Sequence, residues 1–135
     1  MSILDKDLND IDKIYAMNAN QLENSTKSFS IMILDLTEQL PNTISGKVVA
    51  NQMVRSGTSV GANYRAVCRA RSDREFISKM NIVLEESDET LFWLELIETK
   101  KWLDTNNLLP AITEANALTS IFVSSLKTMN SKMGK

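Results

Sequence analysis

The chain contains no histidine and only one cysteine, Cys68. Without histidine there is no Ser–His or Cys–His nucleophile pair, no imidazole proton shuttle and no imidazole metal ligand. One cysteine provides neither an internal disulfide nor a cysteine-based zinc site. Glycine (4) and proline (2) are scarce, so turns are few and the elements between them are long. No apolar run approaches the roughly 18 residues of a membrane-spanning helix. Residues 1–20 carry Asp5, Asp7, Asp10 and Asp12 in place of the continuous apolar core of a signal peptide. The composition therefore points to a cytoplasmic protein with no membrane partner, no metal, no cofactor and no catalytic residues to nominate.

What remains is ordinary globular material: 135 residues, 43% hydrophobic, 24% charged, net charge −2 and a pI of about 5.2. That is one domain, and as a whole it is not a basic nucleic-acid binder. A chain of this length can bury a core, although a long thin bundle often completes its burial by oligomerising.

The apolar residues recur at three and four, not at two. The spacing predicts a first helix from about Glu23 to Leu40, with Phe29, Ile33, Leu36 and Leu40 on one face and Pro41 as its stop. A second runs from about Thr43 to Arg71 on a seam of Val49, Met53, Val60, Val67 and Ala70. Ser72-Asp73-Arg74-Glu75 reads as a capping box that opens a third helix, reaching Leu103. Its seam is Phe76, Met80, Val83, Thr90, Leu94 and Ile97. Asp104-Thr105-Asn106-Asn107 reads as a polar turn, and Pro110 as part of the first turn of a fourth helix carrying Ile112, Ala115, Phe122, Leu126 and Met129. Four amphipathic helices with short loops describe an all-α, antiparallel, up-down-up-down four-helix bundle over residues 22–131. Residues 1–21 are an extension in which Leu4, Leu8, Ile11 and Tyr15 keep helical spacing, compatible with a short helix or a frayed tail, and residues 132–135 are a tail.

The second helix is the unusual one. Gly57 and Gly61, four residues apart, cost about 1 kcal/mol each against Ala in a helix interior. Such a cost is tolerated where backbones approach closely, either within the bundle or against a second subunit. Gln52, Ser56, Ser59 and Asn63 form a polar seam on the same helix. Folding the third helix back about Ser72 sets Asn63 near Val83 and Glu86, Ser59 near Ser87, and Ser56 near Thr90. Buried polar groups need partners, so the pattern predicts a buried network joining Ser59, Asn63 and Glu86, with Arg55 near Glu89. A register-fixing device explains it better than a catalytic site.

The residues of this stretch also carry a resemblance. Arg55-Ser56-Gly57-Thr58-Ser59-Val60-Gly61-Ala62-Asn63-Tyr64-Arg65-Ala66, Arg69-Ala70-Arg71-Ser72, Glu75-Phe76-Ile77-Ser78-Lys79-Met80 and Glu86-Ser87-Asp88-Glu89-Thr90-Leu91-Phe92-Trp93-Leu94-Glu95 together resemble the signature of the "four helix bundle protein" family. That family includes proteins encoded in intervening sequences of bacterial large-subunit ribosomal RNA genes. It is related to the accessory protein of diversity-generating retroelements. The resemblance spans about Lys27 to Asn130. It implies a left-handed bundle that assembles as a homopentamer around a central channel. For the retroelement relatives it further implies nucleic-acid binding and association with a reverse transcriptase. Many relatives carry Glu-Gly where this chain has Ala66-Val67, so a role resting on that glutamate does not transfer.

Charge supplies the second functional reading. Between Arg55 and Lys79 lie six basic residues (Arg55, Arg65, Arg69, Arg71, Arg74, Lys79) and two acidic ones (Asp73, Glu75). Arg65, Arg69, Arg71, Arg74 and Lys79 gather toward the hairpin end, where a ring of copies would hold RNA or DNA phosphates without reading bases. Tyr64 is the aromatic residue nearby for stacking. Alternatively these arginines pair with the acidic third helix and serve assembly. Phe92, Trp93 and Trp102 fall in or beside the seam of that helix, as core or as anchors of a subunit interface. The sequence thus supports an oligomeric structural or adaptor protein, with sequence-nonspecific nucleic-acid binding as the alternative.

Overall fold

The computed structural model describes residues 19–134. They form four helices: α1 (Ala19–Thr37), α2 (Ile44–Cys68), α3 (Asp73–Lys100) and α4 (Thr105–Lys132). Among the described residues there is no strand. Each helix packs on the next in sequence, and α1 closes on α4. Three cross-helix pairs fix the antiparallel order. Ser30 of α1 meets Gly57 of α2, Ser56 of α2 meets Thr90 of α3, and Ser87 of α3 meets Thr119 of α4. The fold is the up-down-up-down bundle expected from the periodicity. Residues 1–18 of the expected extension lie outside the described residues, and residues 19–21 belong to α1.

The caps show why the helices start where they do. Thr43 accepts the Gly46 N–H at 3.1 Å, and Ser72 accepts the Glu75 N–H at 3.0 Å, each satisfying an orphan donor of a first turn. α3 stops at Lys101, whose left-handed backbone (φ 56°) lets its N–H reach Glu98 O and that of Trp102 reach Ile97 O. α2 ends at Cys68, short of Arg71, because Arg69 and Ala70 turn back onto the Ala66 and Val67 carbonyls.

α4 differs most from the sequence reading. It begins at Thr105, so Pro110 sits in its second turn rather than its first. The expected polar turn is itself helical. Asp104 is the N-cap and accepts from the Asn106 N–H, and Asn107 Nδ2 donates to Gln39 Oε1 at 2.6 Å, tying this turn to the end of α1. Pro110 is exposed and removes only one helical N–H.

The core runs the length of the bundle. Phe29, Ile33, Met53, Val60, Val83, Leu94, Ile97, Leu118 and Phe122 are fully buried. The predicted seams supply most of it. Tyr64 joins them at 6% exposure, its ring 6.1 Å from that of Phe122.

Candidate functional site

The small-residue face of α2 is filled from within the chain. A Cβ on Gly57 would lie 2.7 Å from Ile33 Cγ2, and one on Gly61 would lie 3.1 Å from Ser30 Oγ. Ser30 Oγ donates to the Gly57 carbonyl at 2.9 Å. The two glycines therefore let α1 close onto α2 within the chain, the first of the two alternatives their spacing left open.

The polar seam is only partly as expected. Thr90 Oγ1 donates to Ser56 Oγ at 2.8 Å, with both side chains buried. Arg55 reaches Glu86 at 2.9 Å and also binds Glu89, as the fold-back register predicts for Glu89. The joined network of Ser59, Asn63 and Glu86 does not form. Asn63 Nδ2 donates to the Ser59 carbonyl, one turn back in its own helix, at 2.9 Å. Ser87 turns to Thr119 on α4, 2.6 Å away, instead of to Ser59. The physical reason is that α3 has two neighbours, and a register drawn against α2 alone cannot assign residues that face α4. Glu86 is drawn to a guanidinium by a charge-assisted bond, which is stronger than one to a neutral amide. The Arg55 side chain is 48% exposed, so this part of the network lies at the surface rather than in the core.

The Arg55–Glu86–Glu89 cluster extends to an aromatic pair. Trp93 Nε1 donates to Glu89 Oε2 at 3.1 Å, and Phe92 packs edge-on to Trp93 with ring centroids 5.0 Å apart. The Glu89 carboxyl is held below its ordinary range, first by the Trp93 N–H and then by Arg55. Phe92 is 50% exposed, whereas Trp93 and Trp102 are half-buried.

The basic end is less uniform than the sequence suggests. Arg65 lies 3.4 Å from Glu23 of α1, Arg71 lies 4.0 Å from Glu75, and Lys132 lies 3.5 Å from Asp73. Among the described residues Arg69, Arg74 and Lys79 make no ion pair within 4 Å. Tyr64 is buried and so is withdrawn from any base-stacking role. Beside it, Cys68 is exposed. Partial desolvation of its sulfur pushes the thiol up, countered in part by a hydrogen bond with the Tyr64 hydroxyl. A hollow at this end is lined by Ala19, Tyr64, Val67, Cys68, Ala70 and Phe76, with Arg71, Ser72 and Asp73 at its polar side. Sequence reasoning missed this hollow, because the start of α1 and the α2–α3 turn meet only in three dimensions. Among the described residues no helix is long and apolar enough to cross a membrane.

The comparisons with known proteins agree with this architecture. A family model, the 23S rRNA-intervening sequence protein, matches residues 18–124. The crystal structure of a protein with unknown function from the S23 ribosomal protein family of Bacteroides thetaiotaomicron VPI-5482 is similar, at 32% identity and a TM-score of 0.74, over 82% of this chain and 99% of that one. No curated protein matches. Since the family model takes in the first three helices entire and α4 as far as residue 124, the chain belongs to the 23S rRNA-intervening sequence protein family.

Proposed function

We propose that this chain is a non-enzymatic, cytoplasmic structural or adaptor module that works as a homo-oligomer, with the homopentamer implied by the family resemblance as its stoichiometry. One observation carries the reading. Phe92 projects from α3 away from the Val83–Leu94–Ile97 core stripe and is half exposed against Trp93, although the bundle's own core closes without it. Aromatics on an outer face are the residues that interfaces favour. The polar interior supports the same reading, since its hydroxyl pairs are engaged in holding helices in register. Light scattering on the full chain tests it. The expected mass is about five times 15.2 kDa, falling toward one subunit in Phe92→Asp. A wild-type monomer at micromolar concentration would refute it.

A second reading rests on Arg69 and Arg74, which face solvent at the hairpin end without a carboxylate within ion-pair distance among the described residues. In an oligomer this charge is repeated and can hold RNA or DNA phosphates. A reverse transcriptase encoded nearby would be the protein partner under this reading. Fluorescence anisotropy with labelled RNA should then show binding that falls steeply with salt and is lost in Arg69→Glu/Arg74→Glu. Binding that survives both charge reversals removes this reading.

A further inference from the structure

Phe92 stands in an exposed stripe on the outer face of α3. Asn81, Glu85, Asp88, Phe92, Glu95 and Thr99 recur at four and three, and all are exposed. Among the described residues, Glu85, Asp88 and Glu95 have no cation within 4 Å. The stripe is thus an aromatic side chain, 50% exposed, set among unpaired carboxylates. A second exposed face lies across α1 and α2. Lys27, Ile31 and Leu34 recur at four and three on α1, and all are exposed. Beside them a hollow of about 220 Å³ opens between the two helices, where Gly61 and Ala62 fill little space. It is smaller than the roughly 300 Å³ at which small-molecule clefts begin, and suits one inserted side chain. Lys27 and Arg65 line it. Its charge is opposite to that of the α3 stripe. α2 contains no acidic residue. Lys27 has no carboxylate within 4 Å among the described residues, and Arg65 is met by Glu23 of α1 at 3.4 Å.

We propose that Phe92 of one copy seats in the α1–α2 hollow of the next copy, with Asp88 and Glu95, one turn to either side of Phe92, set against Lys27 and Arg65. This arrangement rests on the oligomeric reading above and gives it a geometry. Phe92 cannot enter the hollow of its own chain. α3 packs on the side of α2 that carries Ser56 and Arg55, whereas the hollow lies on the side that carries Gly61 and faces α1. The knob and the socket therefore occupy different faces, and each copy gives one and receives one. Such a heterologous contact repeats from copy to copy and closes into a ring when its rotation allows. Charge selects a second copy in this orientation. Two α3 stripes packed against each other would bring Glu85, Asp88 and Glu95 of both copies together, a like-charge juxtaposition that interfaces avoid. Against the α1–α2 face the same carboxylates meet cations. Ile31 and Leu34, 50% and 39% exposed, extend the apolar ground beside the socket, and Phe92 is an aromatic anchor of the kind that fills such pockets.

Mixing two variants of the full chain tests the arrangement by sedimentation velocity. Phe92→Asp removes the knob and keeps the socket. Ala62→Glu fills the socket with a charge of the same sign as its visitor and keeps the knob. Both positions are exposed, and far-UV circular dichroism checks that both variants retain their helices. Each variant alone should sediment as a monomer. Their equimolar mixture should give a particle of two subunits, about twice 15.2 kDa, and nothing larger, because one intact knob meets one intact socket and neither end can propagate. If no two-subunit particle forms up to about 0.5 mM, where even a contact with a millimolar Kd is populated, the proposal is overturned. An Ala62→Glu protein that assembles as wild type does also overturns it. Either result with an oligomeric wild type removes this arrangement alone, whereas a monomeric wild type removes the oligomeric reading with it.

Discussion

Gly57 and Gly61 sit one helical turn apart, yet a side chain would meet different surroundings at each. At Gly57 a Cβ runs into the Cγ2 of Ile33, with Ile33 Cβ and Cγ1 at 3.0 Å, and that side chain is fully buried. Gly57→Ala gains about 1 kcal/mol of helix propensity but suffers overpacking of about 1–3 kcal/mol, so a net loss is expected. At Gly61 the nearest atoms are Ser30 Oγ at 3.1 Å and Thr26 O at 3.3 Å, which need move only slightly, so Gly61→Ala should stay close to wild type. Urea denaturation of the two variants checks the contrast, and equal losses at both sites would contradict it. The spacing of the glycines told of close approach, but the partner atom that sets the cost did not follow from it. Gly46 shows the same limit more sharply. A Cβ there would lie 2.1 Å from the Pro41 carbonyl oxygen, and nothing in the surrounding pattern points to that contact. Glu89 supplies a pH-dependent prediction. Its folded-state pKa is depressed, so its contribution to stability is present above the ordinary carboxylate pKa of about 4.3 and is lost as pH falls through the lower folded value. Glu89→Gln should therefore flatten the acid limb of the stability–pH curve and leave its shape unchanged near neutrality. Thermal melts between about pH 3 and 7 read this directly.

At the scale of the element, helix pairs are registered by hydroxyls as much as by apolar seams. Ser56–Thr90 joins α2 to α3 and Ser87–Thr119 joins α3 to α4. Each of the first pair also lies against a carbonyl of its own preceding turn, Met53 O at 3.4 Å and Glu86 O at 2.8 Å. Removing one hydroxyl therefore leaves the other a fallback. Ser56→Ala and Thr90→Val should each cost about 0.5–1.5 kcal/mol, and the double variant less than their sum. Strict additivity in a double-mutant cycle would show that the two groups do not interact. The Ser56–Thr90 apposition was legible because a tight turn at Ser72 fixes the register of the hairpin. The Ser87–Thr119 pair was not, since α3–α4 register depends on where α4 starts. That start was hidden by Pro110, whose fixed φ suits a first turn. The N-cap that in fact opens the helix is Asp104, which leaves Pro110 one turn further in.

At the scale of the whole molecule, one core runs through all four helices and the charges divide by end and face. Trp93 on α3 is tied to Glu89, and Trp102 sits just beyond Lys101 where α3 hands over to α4. With the core shared by every helix, tryptophan fluorescence and far-UV circular dichroism should report coincident unfolding transitions. A fluorescence transition that precedes loss of helix would show α3 and α4 parting first. In an oligomer the midpoint should also rise with protein concentration, since association adds to apparent stability by mass action.

By itself the sequence determined the helical class, the seams and the hairpin about Ser72, because the 3.6-residue period and short-range caps are local properties of the chain. It also excluded histidine-dependent chemistry outright, as composition does not depend on folding. Only the tertiary structure decided which neighbour each polar side chain of α3 faces, that Tyr64 is core rather than a stacking platform, and that Arg65 and Arg71 already lie beside carboxylates. It alone brought the start of α1 to the arginine-bearing end. Those outcomes depend on how four helices pack around a common axis, and a periodicity that gives the direction of each face does not say which helix will stand opposite it.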